Sequence, residues 1–177
     1  MGFLDLFKKE KSGKTDGSLQ SVELQTEPGI VYQPVDGEVI SLEDIGDEIF
    51  SAGILGKGCG LKPAGECVYA PIDGTISFVA DTGHAIGITG MDNLELLIHI
   101  GLDTVEMKGD GFGAKVKAGD NVKAGQPLMS FSKKKIADAG YPDTIAVLVA
   151  NTMDYKDVVL LRIGAGKKGE KMLRIEA

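Results

Sequence analysis

The sequence predicts an all-β domain: a β-sandwich or flattened barrel with pseudo-symmetric strand-turn repeats and little helix. Three observations carry this. Short apolar runs alternate with polar residues and stop at Gly, Pro, Asn or Asp, as half-buried strands do. Glycine supplies 25 of the 177 residues, about twice the usual share, and its spread through Val- and Ile-rich text implies many tight turns. No window keeps a helical period beyond about two turns.

In chain order, strands are expected at GIVYQPV, GEVISL, ECVYAPI, GTISFVA, AIGIT, LELLIHI, AKVKAGDNV, QPLMSF, TIAVLVAN and KMLRIEA. SLEDIGDEIFSAG and KKKIADAG each have room for one short helix. An internal echo links PVDGEVI (Pro34 to Ile40) with PIDGTIS (Pro71 to Ser77). In both, Asp-Gly is expected to supply the positive φ of a tight hairpin, and the preceding Pro to hold its segment extended. A second doublet, VKAGD then VKAGQ, marks another pair of turns.

The first residues stand apart. Phe3, Leu4, Leu6 and Phe7 precede Lys8, Lys9 and Lys11, and a Gly/Ser/charge-rich stretch follows to Ser18. Residues 1–24 are expected to form a flexible tail, with at most weak membrane-surface contact, and residues 25–177 the folded domain. No signal peptide and no spanning run of ~20 apolar residues is seen, so a cytoplasmic location is expected.

The net charge of −7 argues against a phosphate-neutralising face for nucleic acid and favours a basic protein partner. Cys59 and Cys67 form no C-x-x-C pair and read as free thiols rather than metal ligands.

Only two histidines occur, in DTGHAIGI and LLIHIGLDTV. Side chains alternate along a strand, so Leu94, Leu96, Ile98 and Ile100 share one face of LELLIHI, and Glu95, Leu97 and His99 the other. The four aliphatics claim the core and His99 points to the second face. The same parity groups His84 with Thr82, Ile86 and Ile88. Four roles stay open on the residues alone: a zinc pair, a general base, a nucleophile, or packing. No H-x-H, H-E-x-x-H or G-x-S-x-G accompanies them, which disfavours a zinc hydrolase and a serine triad.

The stretch ELLIHIGLDTVEMKGDGF, with PVDGEVISLEDIGDEIFSAGILGKGCGLKPAGECVYAPIDGTISFVADTGHAIGI upstream and VKAGDNVKAGQPLMSF and VANTMD downstream, closely resembles the glucose-family enzyme IIA of the bacterial phosphoenolpyruvate:sugar phosphotransferase system. The resemblance runs from about Gln33 to the C-terminus. It implies a phosphotransferase component, with His99 accepting a phosphoryl group from the histidine-containing phosphocarrier protein and passing it to a cysteine of enzyme IIB. It implies that His84 hydrogen-bonds the phosphoryl oxygens, that Thr82 steadies His84, and that the Gly101 carbonyl accepts from the other nitrogen of His99. Asp47 and Asp103 match acidic rim positions, and Ile49, Phe50, Ile54, Leu55 and Leu97 match apolar docking positions. No cofactor and no metal in the free protein are implied. His84 and His99 are implied as zinc ligands only where a partner adds a carboxylate, and docking on regulated transporters or metabolic enzymes is a second implied role. Three positions depart from the pattern. Asn93 stands for a glycine that opens the signature, and Asn tolerates a left-handed turn. Ala80 and Leu97 stand where aromatics are common, so a less aromatic docking patch is expected.

Overall fold

A computed structural model describes residues 19–177 of the chain. Fourteen strands carry the fold: β1 (Ile30–Tyr32), β2 (Gly37–Ile40), β3 (Lys57–Pro63), β4 (Cys67–Tyr69), β5 (Gly74–Val79), β6 (Ala85–Thr89), β7 (Glu95–Ile100), β8 (Phe112–Ala114), β9 (Asn121–Val122), β10 (Pro127–Phe131), β11 (Ile145–Val149), β12 (Asp157–Leu160), β13 (Gly164–Gly166) and β14 (Lys171–Glu176). Among the described residues helix is confined to α1 (Glu48–Ser51), α2 (Lys133–Asp138) and isolated 3-10 turns. The strands form an open eight-stranded sheet, β13-β2-β3-β11-β7-β6-β5-β9, and two three-stranded sheets, β1-β14-β12 and β4-β10-β8. The core joins Ile86, Ile98, Ile100 and Val147 of the large sheet to Leu128 and Met129 of one small sheet and Met172 and Leu173 of the other. This is the expected all-β sandwich with little helix.

The ten expected strands are present, but AKVKAGDNV is mostly turn, with only Asn121–Val122 and the Ala114 end of β8 in strands. Lys57–Pro63, Asp157–Leu160 and Gly164–Gly166 are strands that alternation missed. In β3 the reason is glycine. A Cβ at Gly60 would stand 2.7 Å from Ile45 and 2.9 Å from Ile40, so the missing side chain makes room for the segment that covers the sheet. SLEDIGDEIFSAG folds as a 3-10 turn, Leu42–Ile45, followed by α1. Its Ile45 and Phe50 form a second buried cluster with Ile40, Leu102, Ala146 and Leu148.

The repeats have a structural meaning that differs in part from the expected one. Asp36 and Asp73 do not turn hairpins; Gly37 and Gly74 each open a strand. Gly74 has no positive φ, and what both glycines permit is close approach, since a Cβ would collide with the carbonyls of Lys62 and Thr89 respectively. The aspartates reach sideways: Asp36 accepts from the Lys168 N–H and Asp73 from the Ala124 N–H, each at 2.8 Å.

Three turns share one bracket. Gly119, Gly125 and Gly169 have φ of 95°, 95° and 94°, where type II turns require glycine. Each glycine N–H donates to a carbonyl within a strand (Ile76) or just past the end of one (Ala70 and Gln33), and the N–H of that same residue donates back to the carbonyl of Asp120, Gln126 or Glu170, all at 2.7–2.9 Å. VKAGD and VKAGQ are thus two members of a set of three, the third being KKGE at 167–170.

Residues 1–18, including the amphipathic stretch expected to touch membranes, lie outside the described residues. Residues 19–24, expected to belong to the tail, are laid against the body: Val22 N–H donates to Gly125 O at 2.8 Å, and Leu24 lies against Gly169. The absence of a Cβ at Gly125 lets this backbone approach. Among the described residues no helix is long and apolar enough to cross a membrane. Both cysteines are free, Cys59 buried and Cys67 half-buried.

Candidate functional site

β7 pairs with β6 on one side and β11 on the other, in the middle of the large sheet. Its burial alternates as parity demands. Leu96, Ile98 and Ile100 are buried, Glu95 is exposed, and Leu97 and His99 are half-buried on the opposite face.

Parity fails for His84. It groups His84 with Ile86, which pairs with Ile98 on the core face. The strand begins only at Ala85, the cross-strand neighbour of His99. His84 belongs to the turn before it, closed by Gly83 N–H to Ala80 O at 2.8 Å and Ala80 N–H to Ala85 O at 2.9 Å, with Gly83 at φ +73°. Freed from alternation, the His84 ring lies edge-on to His99, with centroids 4.9 Å apart.

Each imidazole has one nitrogen engaged. His99 Nδ1 lies 2.9 Å from the Gly101 carbonyl, which can only accept, so Nδ1 carries the proton and Nε2 keeps its lone pair. His84 Nδ1 lies 2.6 Å from Thr82 Oγ1. With the hydroxyl donating, His84 Nε2 carries a proton for an incoming acceptor. Burial pushes His99 below the ordinary imidazole pKa and His84 pushes it further, against the Gly101 bond and the charges of Asp47 and Asp103. Burial also lowers His84. His99, with its Nε2 lone pair free, thus stands beside an imidazole whose Nε2 is a donor when the Thr82 hydroxyl donates to Nδ1.

Around this pair, Asp47 caps α1, accepting from Ile49 N at 2.9 Å and Phe50 N at 3.4 Å. Ile49, Ile54 and Leu55 are exposed, but Phe50 is not. Phe50 was expected as a docking contact, yet its ring turns inward and lies 5.1 Å from the His99 ring, walling the site. Asp103 is exposed and left-handed at φ +63°, just past the Gly101 turn. Asp92 and Asn93, at φ 58° and 60°, form a two-residue left-handed turn between β6 and β7. Asn93 thus adopts the conformation a glycine would.

Sequence reading missed Phe78. It pairs with Gly87, which pairs with Leu97, and a Cβ at Gly87 would meet the Phe78 ring. The ring lies over the bare glycine, half-exposed, on the face of Leu97 and His99. On this face β5 thus supplies an aromatic ring that the resemblance did not point to. Among the described residues no group of three or more His, Cys, Asp or Glu is disposed to hold a metal, and the two imidazoles make an incomplete set.

Residues 29–155 match the family described as phosphoenolpyruvate-dependent sugar phosphotransferase system, EIIA 1. The chain is 40% identical to a PTS system beta-glucoside-specific EIIBCA component of Bacillus subtilis, over 91% of the chain but only 26% of that relative's length. It is 38% identical to a PTS system glucose-specific EIIA component of Oceanobacillus iheyensis, over 81% of the chain and 87% of that protein. Glucose permease IIA from Mycoplasma capricolum superposes with a TM-score of 0.73 at 30% identity, covering 81% of this chain and 93% of that one.

Proposed function

Because the chain belongs to the EIIA 1 family of the phosphoenolpyruvate-dependent sugar phosphotransferase system, we propose that it carries phosphoryl groups for sugar uptake on His99. The donor is the histidine-containing phosphocarrier protein, and the acceptor is a cysteine of an enzyme IIB. The observation that carries this reading is the pair of imidazoles 4.9 Å apart, each with Nδ1 engaged.

The His99 Nε2 lone pair forms the new N–P bond as the donor's bond to phosphorus breaks, and that electron pair returns to the donor. In the second half-reaction a thiolate attacks phosphorus and the N–P electron pair returns to Nε2. Little covalent help is needed from the protein; alignment and charge stabilisation suffice. His84 Nε2–H donates to the phosphoryl oxygens while Thr82 holds the ring. Phe50 and Leu97 restrict water beside the labile phosphoramidate. Ile49, Ile54, Leu55, Leu97 and Phe78 form an apolar docking surface with Asp47 and Asp103 at its rim. Domain residues 25–177 act in the cytoplasm, with regulatory docking on other proteins as a second use of this face. Zinc at His84 and His99 requires a carboxylate from a partner.

The test is incubation with phosphoenolpyruvate and the general phosphotransferase proteins. An acid-labile, alkali-stable adduct that disappears in His99→Gln is expected; labelling that survives in His99→Gln overturns the assignment.

A further inference from the structure

Apart from the tyrosines and Cys59, only two polar side chains among the described residues are buried, Gln33 and Thr104. Gln33 has an evident structural task, since its amide donates to Val35 O and Gly37 O and accepts from Arg162. Thr104 sits five residues after His99, and none of the phosphoryl chemistry above uses it. Its Oγ1 donates to Ile100 O at 2.5 Å, closing the chain on itself across four residues. Its methyl fills the space in which a Cβ of Gly101 would stand.

The peptide between these contacts is the one that matters to His99. Gly101 is left-handed at φ +80°. Its N–H donates to Thr144 O at 2.9 Å, and the Leu102 N–H donates to Pro142 O at 3.1 Å. Loop 142–144 thus holds one side of the turn, and Thr104 holds the other. Between them the Gly101 carbonyl has one orientation, toward His99 Nδ1 at 2.9 Å. A glycine peptide has little conformational preference of its own, so this aim has to be imposed from outside.

We propose that Thr104 is a positioning residue: its hydroxyl, by closing the turn from Ile100, aims the Gly101 carbonyl and so holds His99 in the tautomer that leaves Nε2 free. The consequence for phosphoryl acceptance rests on the reading of His99 as the carrier; the tautomer does not. Thr104→Val keeps the methyl packing but leaves Ile100 O without its donor, and the turn relaxes. Thr104→Ser keeps the hydroxyl.

The experiment is nitrogen NMR of the full chain, with His84→Gln assigning the two imidazoles. Wild type and Thr104→Ser are expected to show His99 protonated at Nδ1. Thr104→Val is expected to show a mixture with the Nε2-protonated form, and acceptance slowed roughly tenfold, about what one lost orienting hydrogen bond permits. If Thr104→Val keeps the Nδ1–H form and merely melts earlier, the hydroxyl serves stability alone and the proposal is wrong. If Thr104→Val does not fold, Thr104→Ser still decides: a tautomer mixture there would assign the effect to the methyl and overturn the role given to the hydroxyl. Should no variant, nor wild type, accept phosphoryl groups while the spectra behave as expected, the carrier reading fails and the positioning of His99 stands.

Discussion

Removing the Phe78 ring should weaken docking of the enzyme IIB partner by a calculable amount. Phe78 is 42% exposed, the rest of its surface resting on the Gly87 gap and its neighbours. An aromatic side chain offers ~200 Å², so roughly 80 Å² of this one remains for a partner to cover. At about 25 cal/mol per Å² the gain on docking is at most ~2 kcal/mol, or ~30-fold in Kd. Phe78→Ala tests the ring directly. Gly87→Ala tests its placement without removing it, because the added Cβ would lie 2.6 Å from both Phe78 Cδ1 and Ser77 Oγ and force the ring aside. Titration calorimetry of both variants against the partner should show losses of the same order. Met153→Ala, at a residue 95% exposed, should show none. If Phe78→Ala binds as wild type while Ile54→Ala binds less well, the docking surface stops short of β5 and the argument fails.

The two histidines should fail differently: His99→Gln abolishes acceptance, whereas His84→Gln still accepts but donates onward slower by ~10²-fold or more, the usual loss of a transition-state donor, read by rapid quench of each half-reaction. Both imidazoles have folded pKa values below the ~6.5 of the unfolded chain. Between those values the unfolded state binds more protons, so stability rises with pH up to ~6.5 and then levels off; NMR titration should find both rings still mostly neutral at that pH. Burial pushes the Cys59 thiol up to about 12 and raises Cys67 less, so a thiol reagent at pH 8 should modify Cys67 slowly and leave Cys59 untouched until the protein unfolds.

Much of the fold was legible because alternation reports burial, and β7 shows it: His99 faces where parity put it. The failures have local causes. His84 precedes its strand by one residue, and a turn at Gly83 discards the parity inferred for it. β3 reads as a loop because Gly58 and Gly60 carry no strand preference, and only the covering segment reveals why they are there. Phe50 matched a docking position but is spent on His99, since α1 is short and turns one of its two apolar side chains inward. Phe78 was invisible because its significance lies in register: the chain does not announce that Gly87 is its neighbour. The chemistry of the pair itself came from resemblance, since two imidazoles in apolar text are equally compatible with packing.

The bracket that ties Gln33 to Gly169 and Glu170 spans most of the chain, whereas those at Ile76 and Ala70 close over shorter distances. Loop entropy makes the long closure the costliest of the three in the unfolded chain, and contacts so remote in sequence slow folding. On a ribosome, the first strands must wait for nearly the last residues before their edge is sealed. Deleting the end of the chain from Lys167 would therefore not trim a terminus. It would unlatch Gln33 and strip β1 of its partner β14, exposing a strand edge next to the start of the domain and leaving the central sheet with His99 largely intact but prone to pair with another copy.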